Sequence, residues 1–357
     1  MAVVLGKSDR ILSRKEIKMS FRTRSAIGVV AFILLACASS VPAQLKPQWL
    51  PGQIGLNAGI LPSPGFSYVN ITENYDAGAF NNAKGNAVPV TGTYSVWAVE
   101  NLFYYVPNTK VLGGNFGVNI MFPTPATGSL VADINIQGVT NPNLGAAGGG
   151  SGVADLWVQP FGIGWHLKRW DIQVGDAFMI PTGRYSPGAS NNVGSGYFGN
   201  HLLTGTTYYV TKNKGTSVNF FTDWEVHGSR QGTNNTYKTP GQAFTDEWGV
   251  GQILPLKKDL SQLLQVGVVG YDQWQVTDNG GQIPVGSTGL TLPASVLPHY
   301  SVHAIGGQLT YILPKKNFSL FFKGYNEYSA SSHTLGNTFT FGGAWTLAIP
   351  KPDTPKS

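Results

Sequence analysis

Asp223, Glu225 and His227 are spaced by two. Side chains at that spacing share a face only in a strand, where successive residues point to opposite sides. Asn219 and Phe221 extend the same face, while Val218, Phe220, Thr222, Trp224 and Val226 take the other. One apolar face backed by two carboxylates and an imidazole suits lipid on one side and water on the other. Such a ladder could select ions or solutes in a lumen, or it could be a paired polar network filling a narrow barrel. Asp223 and His227 could also begin a hydrolase site if a serine elsewhere completed it. The chain has no Gly-x-Ser-x-Gly elbow and no His-Glu-x-x-His, and its six histidines are scattered. We therefore assign no catalytic residue, no metal ligands and no cofactor.

The pattern recurs. Ser319, Phe321, Lys323, Tyr325 and Glu327 alternate with Leu320, Phe322, Gly324 and Tyr328; Gln265, Tyr271, Gln273 and Gln275 lie opposite Val266, Val268, Trp274 and Val276. Lys323 and Glu327 thus join Asp223, Glu225 and His227 as expected lumen charges. Phe221, Tyr271, Phe321 and Tyr325 are expected lumen aromatics, either a path for an apolar or aromatic solute or packing against an inward plug. Pro181-Thr182-Gly183-Arg184-Tyr185 opens a long connection. Proline fixes φ and glycine allows a tight bend, so this stretch is expected to fold in and narrow the pore. Arg184 and Arg230, at loop bases, read as solvated charges.

Twelve strands would position these residues, at roughly 65–75, 91–105, 111–136, 154–166, 170–180, 202–211, 215–228, 242–254, 263–276, 300–313, 317–329 and 337–349. Short basic turns carrying Lys110, Lys168 and Arg169, Lys212 and Lys214, Lys257 and Lys258, or Lys315 and Lys316 alternate with long loops at 76–90, 137–153, 181–201 and 277–299. The loops are rich in Gly, Asn and Ser, as turns require. Ala147 to Gly152 reads as a flexible loop, since no Lys or helix follows as a phosphate loop would need. The alternation predicts an all-β, transmembrane up-and-down antiparallel barrel of about 12 strands, with long extracellular loops and short periplasmic turns. Aromatics near strand ends, among them Trp170, Tyr208, Tyr209, Trp274 and Trp345, fit interfacial girdles. Pro160 lacks a ladder donor and demands a bulge. Pro123 and Pro125 suggest that the outer half of the third strand bends away. Asp176 and Asp272 fall on lipid faces, and bulges at Gly175 or Gly270 would re-aim them.

Charged residues make up only 12% of the chain, aromatics 12%, and there are 46 glycines. That composition fits a membrane barrel or secreted β-protein better than a cytosolic enzyme. Residues 1–43 read as an extension and a signal peptide: Arg22 and Arg24 after Met19, an apolar run from Ala26 to Ala38, and Val41-Pro42-Ala43 before Gln44. The only cysteine, Cys37, lies there, in a weak lipidation context. Seven of the 24 basic and two of the 18 acidic residues also lie there, leaving 17 against 16. The net charge of +6 is thus mostly leader and gives no case for nucleic acid. Residues 44–64 are expected to be a periplasmic segment, 65–349 the barrel and 350–357 a polar tail.

Gly152-Val-Ala-Asp155, Gly162-Ile-Gly164-Trp165-His166, Pro181-Thr-Gly183-Arg-Tyr185, Asn192 with Gly194, Thr206-Thr207-Tyr208, and Gly270-Tyr271-Asp272-Gln273-Trp274-Gln275-Val276-Thr277-Asp278 together resemble the bacterial outer-membrane transporter family named for the meta pathway of phenol degradation. The resemblance runs from about residue 60 to 349. It implies passage of small hydrophobic or aromatic solutes across the outer membrane, with lipids and the barrel-assembly machinery as partners. The last strand departs from the usual pattern in lacking a terminal aromatic. A closed envelope barrel that binds or adheres is the alternative, and an outer-membrane hydrolase a further one.

Overall fold

A computed structural model describes residues 47–136, 139–284 and 290–348. The predicted leader and the polar tail lie outside them. Twelve long strands follow in order: β1 Gly65–Phe80, β2 Val90–Val106, β3 Gly114–Ile136, β4 Leu156–His166, β5 Trp170–Ile180, β6 Gly199–Tyr209, β7 Thr216–His227, β8 Ala243–Pro255, β9 Leu263–Gln275, β10 Ser301–Leu313, β11 Phe318–Ser331 and β12 Thr334–Ala348. Each pairs antiparallel with its neighbour, and β1 pairs with β12 from Phe66↔Ala348 to Phe80↔Thr334, so the sheet closes. Closure leaves no free edge, which a strand-built membrane protein requires.

The two faces separate as the alternation predicts. On β7, Phe221, Asp223, Glu225 and His227 are buried, whereas Val218, Phe220, Trp224 and Val226 are exposed on the outside. Apolar side chains exposed around a closed barrel mark a surface that meets lipid rather than water. Aromatic rings ring both ends of this surface. Trp170 packs on Tyr208 (4.5 Å) and Phe318 on Trp345 (4.8 Å) at the short-turn end. Phe178 packs on Phe198 (5.5 Å) and Phe244 on Trp274 (6.1 Å) at the long-loop end. Trp170 and Phe178 are eight residues apart on β5, so at ~3.4 Å per residue and a tilt of about 40° the girdles stand roughly 21 Å apart. Tyr209, expected in a girdle, instead points inward and donates to Asp171.

Pro160 does sit in a bulge: the β4–β5 register shifts between Val158 and Phe161, and the β3–β4 register between Gly117 and Asn119. No bulge re-aims Asp272, because β8–β9 pairing is regular throughout. Asp272 stays outward and is satisfied there by His303 Nδ1 at 2.5 Å and Trp248 Nε1 at 3.3 Å. Asp176 is likewise outward, accepting from Asn200 Nδ2 at 2.6 Å.

Two connections differ from expectation. The Gly-rich stretch before β4 is an extended arm, Val139–Gly152, that pairs with the outer half of β3. Main-chain bonds need no side chains, and the arm uses that freedom. A Cβ on Gly150 would sit 2.5 Å from the Asn191 carbonyl. The β11–β12 connection is only Ser332 and His333, with Ser332 left-handed at φ 50°.

Candidate functional site

The inner wall is a set of polar side chains facing a chain segment, not water. Residues 47–61 run along the lumen. The expectation of a periplasmic segment over 44–64 fails here, for a physical reason. This Pro- and Gly-rich stretch makes few backbone bonds of its own, so its peptide groups need outside partners, and the wall supplies them.

At the long-loop end Glu225 accepts from the amides of Gln48 (2.8 Å) and Trp49 (3.1 Å). Glu247 on β8 accepts from Gly52 (3.0 Å), Ile54 (2.9 Å) and Gly55 (3.0 Å), and from the Trp49 indole (3.0 Å). Lys323 donates to the carbonyl oxygens of Gly52 at 2.7 Å and of Gln53, and Tyr325 donates to Gly52 as well. Further along, Gln308, Asn219 and Thr207 accept from Leu56, Asn57 and Gly59, while Gln173 donates to Ala58. Asn57 and Gln265 exchange reciprocal amide bonds at 2.9 Å.

Inward glycines make room for the segment. Leu61 fits against Gly117 and Gly164, and Leu56 against Gly249, Gly251 and Gly267. A Cβ on Gly205 would lie 1.9 Å from the Ala58 carbonyl oxygen.

The expected lumen charges are all on the inner wall and all buried. Asp223 bonds His201 (2.8 Å), whereas His227 bonds Glu225 (3.0 Å) and the Gly241 carbonyl. The Asp223–His227 pair needed for a hydrolase is thus divided between two other partners. Glu327 accepts from Tyr75 (2.9 Å), Tyr271 (3.0 Å) and the Gly336 amide (2.6 Å). His201, Asp223 and Glu225 bring one ligating atom each within 4.8 Å, but both Glu225 oxygens already hold the segment. Phe221 stacks on Trp49 at 5.3 Å, and Tyr271 packs on Tyr325 at 5.2 Å. Phe321 sits lower, with the Lys323 ammonium 5.6 Å from its ring centre. Glu247, Glu73, Glu100 and His201 join the inner wall beyond the expected charges. Glu73, Glu100 and Glu247 occupy inward positions at period two within predicted strands, which is the signal that could have found them; His201 falls one residue before the predicted sixth strand, which in fact begins at Gly199.

Pro181 to Tyr185 do not close the lumen. Thr182 and Arg184 are exposed, and the stretch is tied to the rim. Gly183 donates to Asp155 (2.9 Å), and Arg184 donates to the carbonyls of Asn191 (2.7 Å) and Ser151 (3.2 Å). Segment 47–61 narrows the lumen instead, lying against the wall glycines. Burial pushes the Asp155 carboxyl up from its ordinary range, and hydrogen bonds from Ser195 and Gly183 pull it back only in part. Arg230 is not solvated either: it is buried over the Tyr197 ring at 5.5 Å.

Above the segment, toward the long loops, lies a cavity of about 180 Å³. Trp49, Tyr94, Met121, Trp157 and Met179 give it a mostly apolar wall, with Glu100 among the few polar groups. A smaller space of about 50 Å³ lies on the other side of Trp49 and Leu50, beside Glu73 and Glu327.

An outer membrane channel from Pseudomonas putida F1 is 12% identical with a TM-score of 0.61, the match covering 84% of this chain and 99% of that one. The beta domain of the Bordetella autotransporter Brka (9% identical, TM-score 0.44, 80% and 100% covered) and a Pseudomonas aeruginosa FadL homologue (7%, 0.33, 87% and 98%) are more distant. No curated protein matches in sequence. The barrel is of the bacterial outer-membrane type. Residues 77–342 match the family described as putative MetA-pathway of phenol degradation, and the chain belongs to that family.

Proposed function

We propose that the chain is an outer-membrane channel for passive entry of small hydrophobic or aromatic molecules. The observation that carries this reading is the apolar cavity inside the lumen, walled by Trp49, Trp157, Met121 and Met179. Ring faces and thioethers bind apolar ligands well, and a water-filled pore would have no use for them. The family's description and the naming of the Pseudomonas putida protein as a channel agree with this reading.

In this reading the long loops collect the solute, Pro181 to Tyr185 frame the entrance, and the cavity holds it. Segment 47–61 stands below, so onward passage requires that segment to shift. Glu225 and Lys323 then hold the segment rather than passing ions, and Asp223, His227 and Glu327 tie wall residues together through His201, Glu225, Tyr75 and Tyr271. The barrel-assembly machinery would insert the chain. Proteoliposomes carrying the full chain should take up a one-ring aromatic faster than empty ones. Equal uptake would count against the channel.

One observation favours a second reading. Because 47–61 is bonded along the lumen, the barrel could be closed and act as a binding protein of the envelope. Silence in planar bilayers combined with no solute uptake would favour it.

A further inference from the structure

We infer that Glu100 makes the lumen cavity selective for one-ring aromatics bearing a hydrogen-bond donor, a hydroxyl or an amine, over hydrocarbons of the same shape. The inference rests on reading the cavity as the solute's resting place. Glu100 lies on the inner face of β2, is 1% exposed and lines the cavity. Its Oε1 accepts from Gln53 Nε2 at 2.9 Å, and its Oε2 has no partner. An acceptor buried without a donor is costly, and a ligand that supplies the donor removes that cost.

The rest of the wall sharpens the choice. Asp155 has both oxygens engaged by Gly183 and Ser195. Asn192 spends its amide on Ser186 and Ala189. Gln48 gives its Nε2 to Ser195 and Tyr197, and its unpaired Oε1 is turned toward Gly199 on the β6 wall. Glu100 Oε2 is therefore the buried acceptor on the cavity's β2 wall that is left without a hydrogen bond, beside an otherwise mostly apolar lining. Size agrees: an apolar cavity of about 150 Å³ holds benzene, and this one is about 180 Å³. A ring would lie against Trp49, Met121, Trp157 and Met179 with its donor on Glu100. A site built around a buried acceptor rejects the analogue that lacks the donor far better than an apolar pocket rejects an extra methyl.

The test uses the full chain in lipid nanodiscs, with ¹⁹F NMR of 4-fluorophenol and 4-fluorotoluene and empty nanodiscs as the partition control. The wild type should bind 4-fluorophenol saturably and on the order of tenfold tighter than 4-fluorotoluene, after correction for partition, which is about 1.4 kcal/mol. Glu100→Leu should bring the ratio near one by weakening 4-fluorophenol. Glu100→Gln, which keeps the size and a contact to Gln53, should lower the ratio in a barrel that folds even if the leucine variant does not. Saturable binding of both probes at a ratio near one in the wild type would overturn the role of Glu100 and leave the cavity's function standing. A ratio unchanged in Glu100→Gln and Glu100→Leu would do the same. Saturable binding of neither probe would overturn both.

Discussion

Lys323 on β11 reaches across the lumen and gives its ammonium to the carbonyl oxygen of Gly52 at 2.7 Å. It is a fully buried cation, and its charge interacts with Glu247, Glu73 and Glu100. Glu247 in turn accepts the amide of the same glycine. A cation and an anion thus grip opposite ends of one peptide turn. This arrangement makes the segment part of the folded barrel rather than a loose tail.

Glu247→Ala should loosen the segment first. The carboxylate takes four hydrogen bonds from it, and removing one member of a buried charged network typically costs roughly 3–5 kcal/mol. The variant should remain a barrel, show a larger single-channel conductance, and expose residues 47–61 to protease. Unchanged conductance and protection would mean that Glu247 does not hold the segment.

Gly205→Val should produce the same release from the wall side. Its Cβ would fall 1.9 Å from the Ala58 carbonyl oxygen. The substitution should destabilise the intact chain, yet cost little in a chain deleted of residues 47–61. Residues in contact show coupling of about 0.5–3 kcal/mol in such a cycle. Additive effects in thermal unfolding would show that valine strains β6 itself.

These two positions also show what a reader of the sequence could and could not see. The barrel was legible because β7 and β11 alternate strictly, and a period of two leaves few alternatives. The same period put Asp223, Glu225 and His227 on one face of β7 and Lys323 on one face of β11, and the short turns, long loops and strand-end aromatics, not the period, pointed that face inward. The segment that Glu225 and Lys323 hold was not legible. Residues 47–61 have no periodicity, and the groups that bind them, from Glu100 on β2 to Tyr325 on β11, lie scattered over many strands. One clue was present: Gly117, Gly164, Gly205 and Gly249 strip the inner face of side chains, and a stripped face implies something filling it. The arm Val139–Gly152 was hidden for a related reason, since pairing through the main chain leaves no side-chain pattern to read.

The rim should respond to pH through Asp155. Burial raises its carboxyl above the ordinary value, so the folded form holds its proton to higher pH than the unfolded chain does. The stability this group contributes is fully present below the unfolded-state value and is lost as pH rises through the folded one. Beyond the intrinsic base catalysis of exchange, the amides of Gly183 and Ser195, which donate to this carboxyl, should exchange hydrogen faster as pH rises through that window. Asp155→Asn should flatten the response. A profile identical in the two proteins would place the titrating group elsewhere.

Val268 tests the outward face directly. It lies near the middle of β9, half-exposed, on the side opposite Gln265 and Tyr271. If lipid covers it, Val268→Arg places a charge near the bilayer midplane and should cost about 2–4 kcal/mol in lipid vesicles. Val276→Arg, beyond the long-loop end of β9, should cost no more than about 1 kcal/mol, because the penalty falls toward the interface. Denaturant unfolding in vesicles measures both. Equal, small losses at the two positions would mean that water, not lipid, meets this wall, and would return the chain to a soluble β-barrel.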